Sequence, residues 1–139
     1  NPKMALFIPL IGGTGGNVGI QSSAIVVQGL ANNSLKQAKL WSLIAKEVVV
    51  ALINASIISL VVFLFNYFFL SDVLVMSAVS ISLFSVVLFA SIFGTMVPML
   101  LDRLKIDPAI ATGPFITITN DLIGMMIYML VATLLAQAL

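Results

Sequence analysis

The chain contains no cysteine and no histidine among its 139 residues. Disulfide bridges, zinc sites built from thiolate or imidazole ligands, and catalysis by Ser-His or Cys-His pairs are therefore excluded. Any metal ion that this protein binds must be held by oxygen atoms.

Charge is also scarce, since 8% of the residues are charged and 61% are hydrophobic. A soluble domain has roughly a quarter of its residues charged. The net charge of +1 is too small for a nucleic-acid surface. We therefore expect an all-α, polytopic membrane protein that has the lipid bilayer, and not nucleic acid, as its partner.

Clusters of polar residues divide the chain into four long apolar segments. A bilayer core of about 30 Å needs roughly 20 apolar residues per helix, so each segment is long enough to cross it. A single transmembrane pore domain, 1–139, is predicted, with helices over about 4–31, 40–70, 73–101 and 109–139.

Basic residues are concentrated in and near the first and third connections, whereas the second connection has only Asp72. The positive-inside rule then predicts that the loops 32–39 and 102–108 face the cytoplasm of a multi-pass plasma-membrane protein. Because the chain starts and ends at membrane-like sequence, we expect it to be part of a larger protein.

The first segment has five glycines within residues 12–19, which lowers its intrinsic helix stability. One explanation is close helix packing through small residues four apart. The other is a hydrated path lined by backbone carbonyls and by Asn17 and Gln21, which share one helix face. Both can hold together. The predicted pore-lining residues here are Gly12, Gly13, Gly16, Asn17 and Gln21.

Asp121 lies near the middle of the fourth apolar segment, where burying a carboxylate costs at least about 3 kcal/mol. No basic residue lies in the interior of any segment to pair with it. Its partner is therefore a proton, water or a cation. A purely structural role, in which a protonated Asp121 hydrogen-bonds a neighbouring helix, is the alternative.

Other oxygen donors are expected on the same helix face as Asp121. Gly113, Thr117 and Gly124 fall at helical spacing with it. Pro114 is expected to remove a backbone donor and to free the carbonyl of Ile110. The pattern predicts a row of oxygen ligands.

An oxygen-only site with one carboxylate suits hard cations such as Mg²⁺ or Ca²⁺, and Mn²⁺ or other divalent ions fit the same ligands. A two-fold homodimer would bring a second Asp121 to the site. Since Mg²⁺ loses water reluctantly, the ion would be held while still hydrated.

Two motifs, in this order, carry a family resemblance: Gly15-Gly16-Asn17-Val18-Gly19 within 9–21, and Asp107-Pro108-Ala109 followed by Gly113-Pro114-Phe115 and Asp121-Leu122-Ile123-Gly124. They resemble the transmembrane domain of the MgtE magnesium channel and transporter family, and the likeness covers nearly the whole chain.

The resemblance implies that the four segments are the second to fifth of five helices, in a homodimer whose pore runs between the first and last segments of both subunits. Asp121 would select Mg²⁺, with backbone oxygens around Gly113 and Thr117. Asp107 would help to sense intracellular Mg²⁺. Asp107 and Glu47 are the expected secondary, regulatory metal-binding residues. The family's first helix and its cytoplasmic regulatory and CBS domains are not in this sequence, and they would be partners of the chain.

Two other functions use an intramembrane carboxylate. A proton- or sodium-coupled carrier can use one as a relay, and the sequence leaves channel and carrier undecided. An intramembrane aspartyl protease needs two carboxylates at one site, and only Asp121 is deep enough. We therefore expect no enzymatic activity. A further alternative is that the chain is a non-transporting assembly module, in which case Asp121→Asn would have no effect.

Overall fold

A computed structural model of the protein describes residues 2–138, and all regular structure within them is helical. The all-α prediction is thus confirmed for this part of the chain. Residues 1 and 139, the two ends of the predicted pore domain, lie outside it. The helices are α1 (Pro2–Ala5), α2 (Ile8–Ala31), α3 (Leu40–Phe69), α4 (Val73–Arg103) and α5 (Pro114–Ala138), with a 3-10 turn at Pro108–Ala111.

Three of these stretches are long and apolar enough to cross a membrane, judged by length and composition: α3, α4 and Pro108–Ala138. Helix α2 has 24 residues, so it is about 36 Å long at 1.5 Å per residue. That length matches a bilayer core of about 30 Å. Its glycines and amide side chains distinguish it from the three apolar helices.

The start of α5 differs from the prediction. The fourth segment is not helical from about residue 109, because α5 begins at Pro114. Gly113, just before it, has φ +64°, a left-handed conformation that glycine adopts without steric cost. Proline is favoured at the first helical position, where no N–H is needed. The expectation that Pro114 lies inside the helix and frees a carbonyl there is therefore wrong.

Helix α4 is the centre of the bundle, since α3, α2 and α5 all pack against it. Its apolar side chains join Ile11 of α2 and Tyr128 of α5 in one buried core. Helices α2 and α5 also pack against each other. Helix α3 lies on the outside and leaves large apolar side chains such as Ile53 and Phe65 exposed, as expected of a helix that contacts lipid.

Candidate cation site

Asp121 is the eighth of the 25 residues of α5, and it packs directly on α2. A Cβ on Gly16 would overlap Asp121 Oδ1 and would lie 3.1 Å from Thr117 Cγ2. The absence of a side chain at position 16 therefore makes room for the carboxylate. Of the two explanations for the glycine cluster, close packing holds at this position.

The Asp121 carboxylate has no protein partner within residues 2–138. Its Oδ1 atom is buried and accepts no hydrogen bond, and the carboxylate forms no ion pair with a basic residue. The residue as a whole is only partly buried. A carboxylate in this setting is available to a cation, a proton or water.

Asn120, the residue before Asp121, was not predicted as part of the site. It is 1% exposed, and neither its Nδ2 nor its Oδ1 has a hydrogen-bond partner in the described part of the chain. A Cβ on Gly19 would overlap Asn120 Nδ2. An amide directly beside an intramembrane carboxylate was the sequence signal that could have identified it.

Thr117 lies one turn before Asp121, and it forms two hydrogen bonds to the carbonyl of Gly113. Its hydroxyl donates a hydrogen bond to the Gly113 carbonyl at 3.0 Å, and its N–H donates to the same oxygen at 3.1 Å. A carbonyl oxygen has two lone pairs, so this one is fully used within the chain. The Thr117 hydroxyl oxygen still has capacity to accept a hydrogen bond or contact an ion.

The predicted pore-lining residues of α2 fall into two groups. Gly13, Asn17 and Gln21 are exposed at four-residue intervals and so form one polar face of α2. Gly12 and Gly16 are buried. A Cβ on Gly12 or Gly13 would meet no atom within 4 Å, so close packing does not explain these two glycines.

Gly124 lies apart from that polar face. It is buried against α4, where an added Cβ would be 3.2 Å from Val86 Cγ1. Its contact with Val86 explains its small size by packing within the chain. A role in lining the pore stays a prediction.

The predicted secondary sites, Glu47 and Asp107, are not brought together with Asp121. Glu47 Oε1 accepts a hydrogen bond of 2.9 Å from the Ser22 hydroxyl. Asp107 is exposed and caps the Ala109 N–H at 2.9 Å. No group of three or more acidic side chains that could hold a metal ion occurs within residues 2–138. Within residues 2–138, Asp121 is therefore not part of a cluster of acidic side chains.

Two adjacent serines of α2 connect that helix to other elements. Ser22 donates to Glu47 at the start of α3, and Ser23 donates to the carbonyl of Ala111 in the 3-10 turn before α5. A pocket of about 300 Å³ beside the turn has Asp102 and Asp107 among its lining residues. Ser22 thus connects α2 to α3, and Ser23 connects α2 to the turn that leads into α5.

A bundle of apolar helices that carries one polar helix face and an unpaired carboxylate deep in an apolar helix has the features of a membrane transport protein. The family model for divalent cation transporters named MgtE matches residues 8–131. The chain belongs to the MgtE family. Since this is a family of transporters, the expectation of a non-enzymatic protein is confirmed, and the protease alternative is set aside.

Similar proteins from three bacteria carry the name magnesium transporter MgtE. The Bacillus subtilis protein is 32% identical over 98% of this chain, the Enterococcus faecalis protein 34% over 94%, and the Thermus thermophilus protein 33% over 97%. This chain spans about 30% of the length of these relatives.

Proposed function

We propose that this chain is the pore region of a Mg²⁺ channel or transporter, and that Asp121 recognises the ion. The observation that carries the proposal is the unpaired Asp121 carboxylate, which packs against Gly16 of α2 in a family of divalent cation transporters. Burial of such a group without a partner is costly. A cation that arrives at the carboxylate compensates for this cost, and its passage is the function.

The polar face of α2 supports a homodimer. Gly13, Asn17 and Gln21 are exposed on one copy of the chain, and amide side chains are poorly accommodated by lipid. A two-fold axis next to this face buries it between subunits and brings two Asp121 side chains towards one path. Two carboxylates balance the charge of one divalent ion.

The chemistry of the proposed site favours an ion that keeps its water. Mg²⁺ prefers near-octahedral oxygen ligands and dehydrates reluctantly, and the chain supplies one carboxylate per subunit at this depth. Asp121 then contacts the water shell, together with the Thr117 hydroxyl and with backbone oxygens around Gly113 other than the Gly113 carbonyl, which Thr117 occupies. Mn²⁺ and Ca²⁺ are competing ions for the same ligands.

The membrane topology completes the proposal. Helices α2 to α5 cross the plasma membrane as the second to fifth helices of a five-helix domain, and the loops 32–39 and 102–108 face the cytoplasm. Asp107 and Glu47 then lie near the cytoplasmic side and act as secondary Mg²⁺ sites. The relatives are longer than this chain, which leaves room for a preceding helix and for cytoplasmic regulatory and CBS domains.

Mg²⁺ influx into proteoliposomes that contain the complete protein tests the role of Asp121. Asp121→Asn and Asp121→Ala should each abolish influx at fixed pH. Asp72→Asn makes the same carboxylate-to-amide change at the N-cap of α4, where asparagine caps as well as aspartate does, and it should leave influx near the wild-type rate. Unchanged influx in both Asp121 variants would show that the carboxylate is structural.

A proton- or sodium-coupled carrier is the second candidate, because a lone carboxylate with no metal-binding cluster within residues 2–138 also fits an ion relay. Mg²⁺ influx that rises in fixed proportion with an imposed pH or Na⁺ gradient would favour the carrier. Influx that follows only the Mg²⁺ gradient and the membrane potential would favour the channel.

A further inference from the structure

The amide of Asn120 needs a hydrogen-bond partner that residues 2–138 do not provide. Both of its polar atoms are buried without a partner, and the residue is 1% exposed. A second copy of the chain that packs on the surface cannot reach it. Since an unpaired amide in apolar surroundings is strongly disfavoured, a small molecule inside the bundle is the remaining partner, and water is the one that fits.

The geometry of α2 shows where that water lies. Asn120 Nδ2 rests on Gly19, and Asp121 Oδ1 rests on Gly16. Gly16 and Gly19 are three residues apart and so share one face of α2. The amide nitrogen and the carboxylate oxygen therefore lie against the same face, and they do not hydrogen-bond to each other. One water molecule between them can bond to both.

We propose that a buried water accepts a hydrogen bond from Asn120 Nδ2 and donates one to Asp121 Oδ1, which makes Asn120 a positioning residue for the selecting carboxylate. This inference rests on the proposed function of Asp121. The inner oxygen is then committed to the water, which fixes the plane of the carboxylate. The outer oxygen is left to contact the hydrated ion.

The pair Asn120→Thr and Asn120→Val tests this in the complete protein. Thr and Val have the same shape, so both change the packing equally, but only Thr retains a hydroxyl that can hold the water. Mg²⁺ influx into proteoliposomes is measured against Mg²⁺ concentration. The half-saturating concentration should be about tenfold higher for Val than for Thr, the effect of losing one hydrogen bond to a charged group. Equal values for the two variants would overturn the proposal.

Asn66 of α3 provides the matched control. It is 0% exposed, and both of its amide atoms also lack a partner in the described chain, but it lies on a helix whose main contact is with α4. Asn66→Thr and Asn66→Val should have the same half-saturating Mg²⁺ concentration. A difference as large as that at position 120 would mean that the effect does not act through Asp121, and the proposal would fail.

A spectroscopic measurement covers the case in which Asn120→Val does not fold. The infrared difference spectrum of the wild-type protein on Mg²⁺ addition should contain a water O–H band that shifts in H₂¹⁸O, and this band should be altered in Asp121→Asn. A spectrum with no such band would overturn the proposed water bridge.

The outcomes separate this inference from the proposed function. If wild-type vesicles take up no Mg²⁺, the proposed function fails as well. If uptake requires Asp121 but the Thr and Val variants agree, only this inference fails.

Discussion

Gly16 of α2 and Asp121 of α5 fit each other so closely that one added carbon at position 16 would occupy the space of the Asp121 Oδ1 atom. The carboxylate is thus held by the backbone of a neighbouring helix. The geometry of the proposed cation site therefore depends on a residue that has no side chain.

Gly16→Ala should disturb the site more than the fold. The atom that the new methyl displaces is the end of a short side chain, so the carboxylate can turn away, at a stability cost on the order of 1 kcal/mol. Mg²⁺ influx should fall at least about tenfold, as expected for a misplaced liganding group. Gly13→Ala, which adds its methyl to open space, should not lower the thermal stability. Wild-type influx in Gly16→Ala would contradict the proposed geometry.

Gly94→Ala should damage the fold itself. A Cβ there would meet the backbone carbonyl oxygen of Gly19 at 2.5 Å, and a backbone atom inside a helix cannot turn aside. The α2–α4 contact must widen, at a cost of about 1–3 kcal/mol. The purified variant should lose its monodisperse size-exclusion peak at a clearly lower temperature than Gly16→Ala. Equal thermal stability of the two variants would argue against this close helix contact.

Gly113→Ala and Gly113→Asn should differ. The φ of +64° at this position costs a β-carbon-bearing residue roughly 1–2 kcal/mol, and asparagine tolerates it better than alanine. Since Gly113 leads into α5, alanine should lower both the thermal stability and the Mg²⁺ influx, and asparagine should lower them less. The thermal midpoints of the two purified variants give the comparison, and an alanine variant as stable as wild type would exclude the left-handed conformation.

Cysteine labelling can identify the face of α2 that contacts water. The chain has no native cysteine, so in a full-length background free of other cysteines each introduced thiol reports one position. Asn17→Cys should react with a charged, water-soluble thiol reagent, and added Mg²⁺ should slow the reaction. Ile53→Cys, at a position 56% exposed on α3, should not react, because that face contacts lipid. A faster reaction at Ile53→Cys than at Asn17→Cys would instead place lipid against this face of α2.

The sequence was sufficient for α3 and α4 but not for the start of α5. Both ends of α3 and α4 fall within two residues of their predicted positions, because long apolar runs end at charged or turn-forming residues. Glycine at 113 and proline at 114 are compatible either with a kinked helix or with a new helix start, and only the packing of the 3-10 turn distinguishes them. The missed α5 start has the same origin as the wrong role given to Pro114.

The candidate site, too, could be predicted only in part, because the sequence does not show how the helices pack. Asp121 is identifiable without any structure, since a carboxylate in an apolar helix is costly wherever its neighbours lie. Asn120 is not, because an amide can face lipid, a partner helix or the bundle centre, and the sequence does not state where α2 packs. The division of the glycines into those that contact α5 and those that face open space depends on the same information.

The bonds of Ser22 to Glu47 and of Ser23 to Ala111 restrict how α2 can move. Rotation of α2 about its long axis would break both bonds at once. The serine pair therefore sets the rotation of α2 about its axis, and with it the direction in which the exposed Asn17 and Gln21 side chains face.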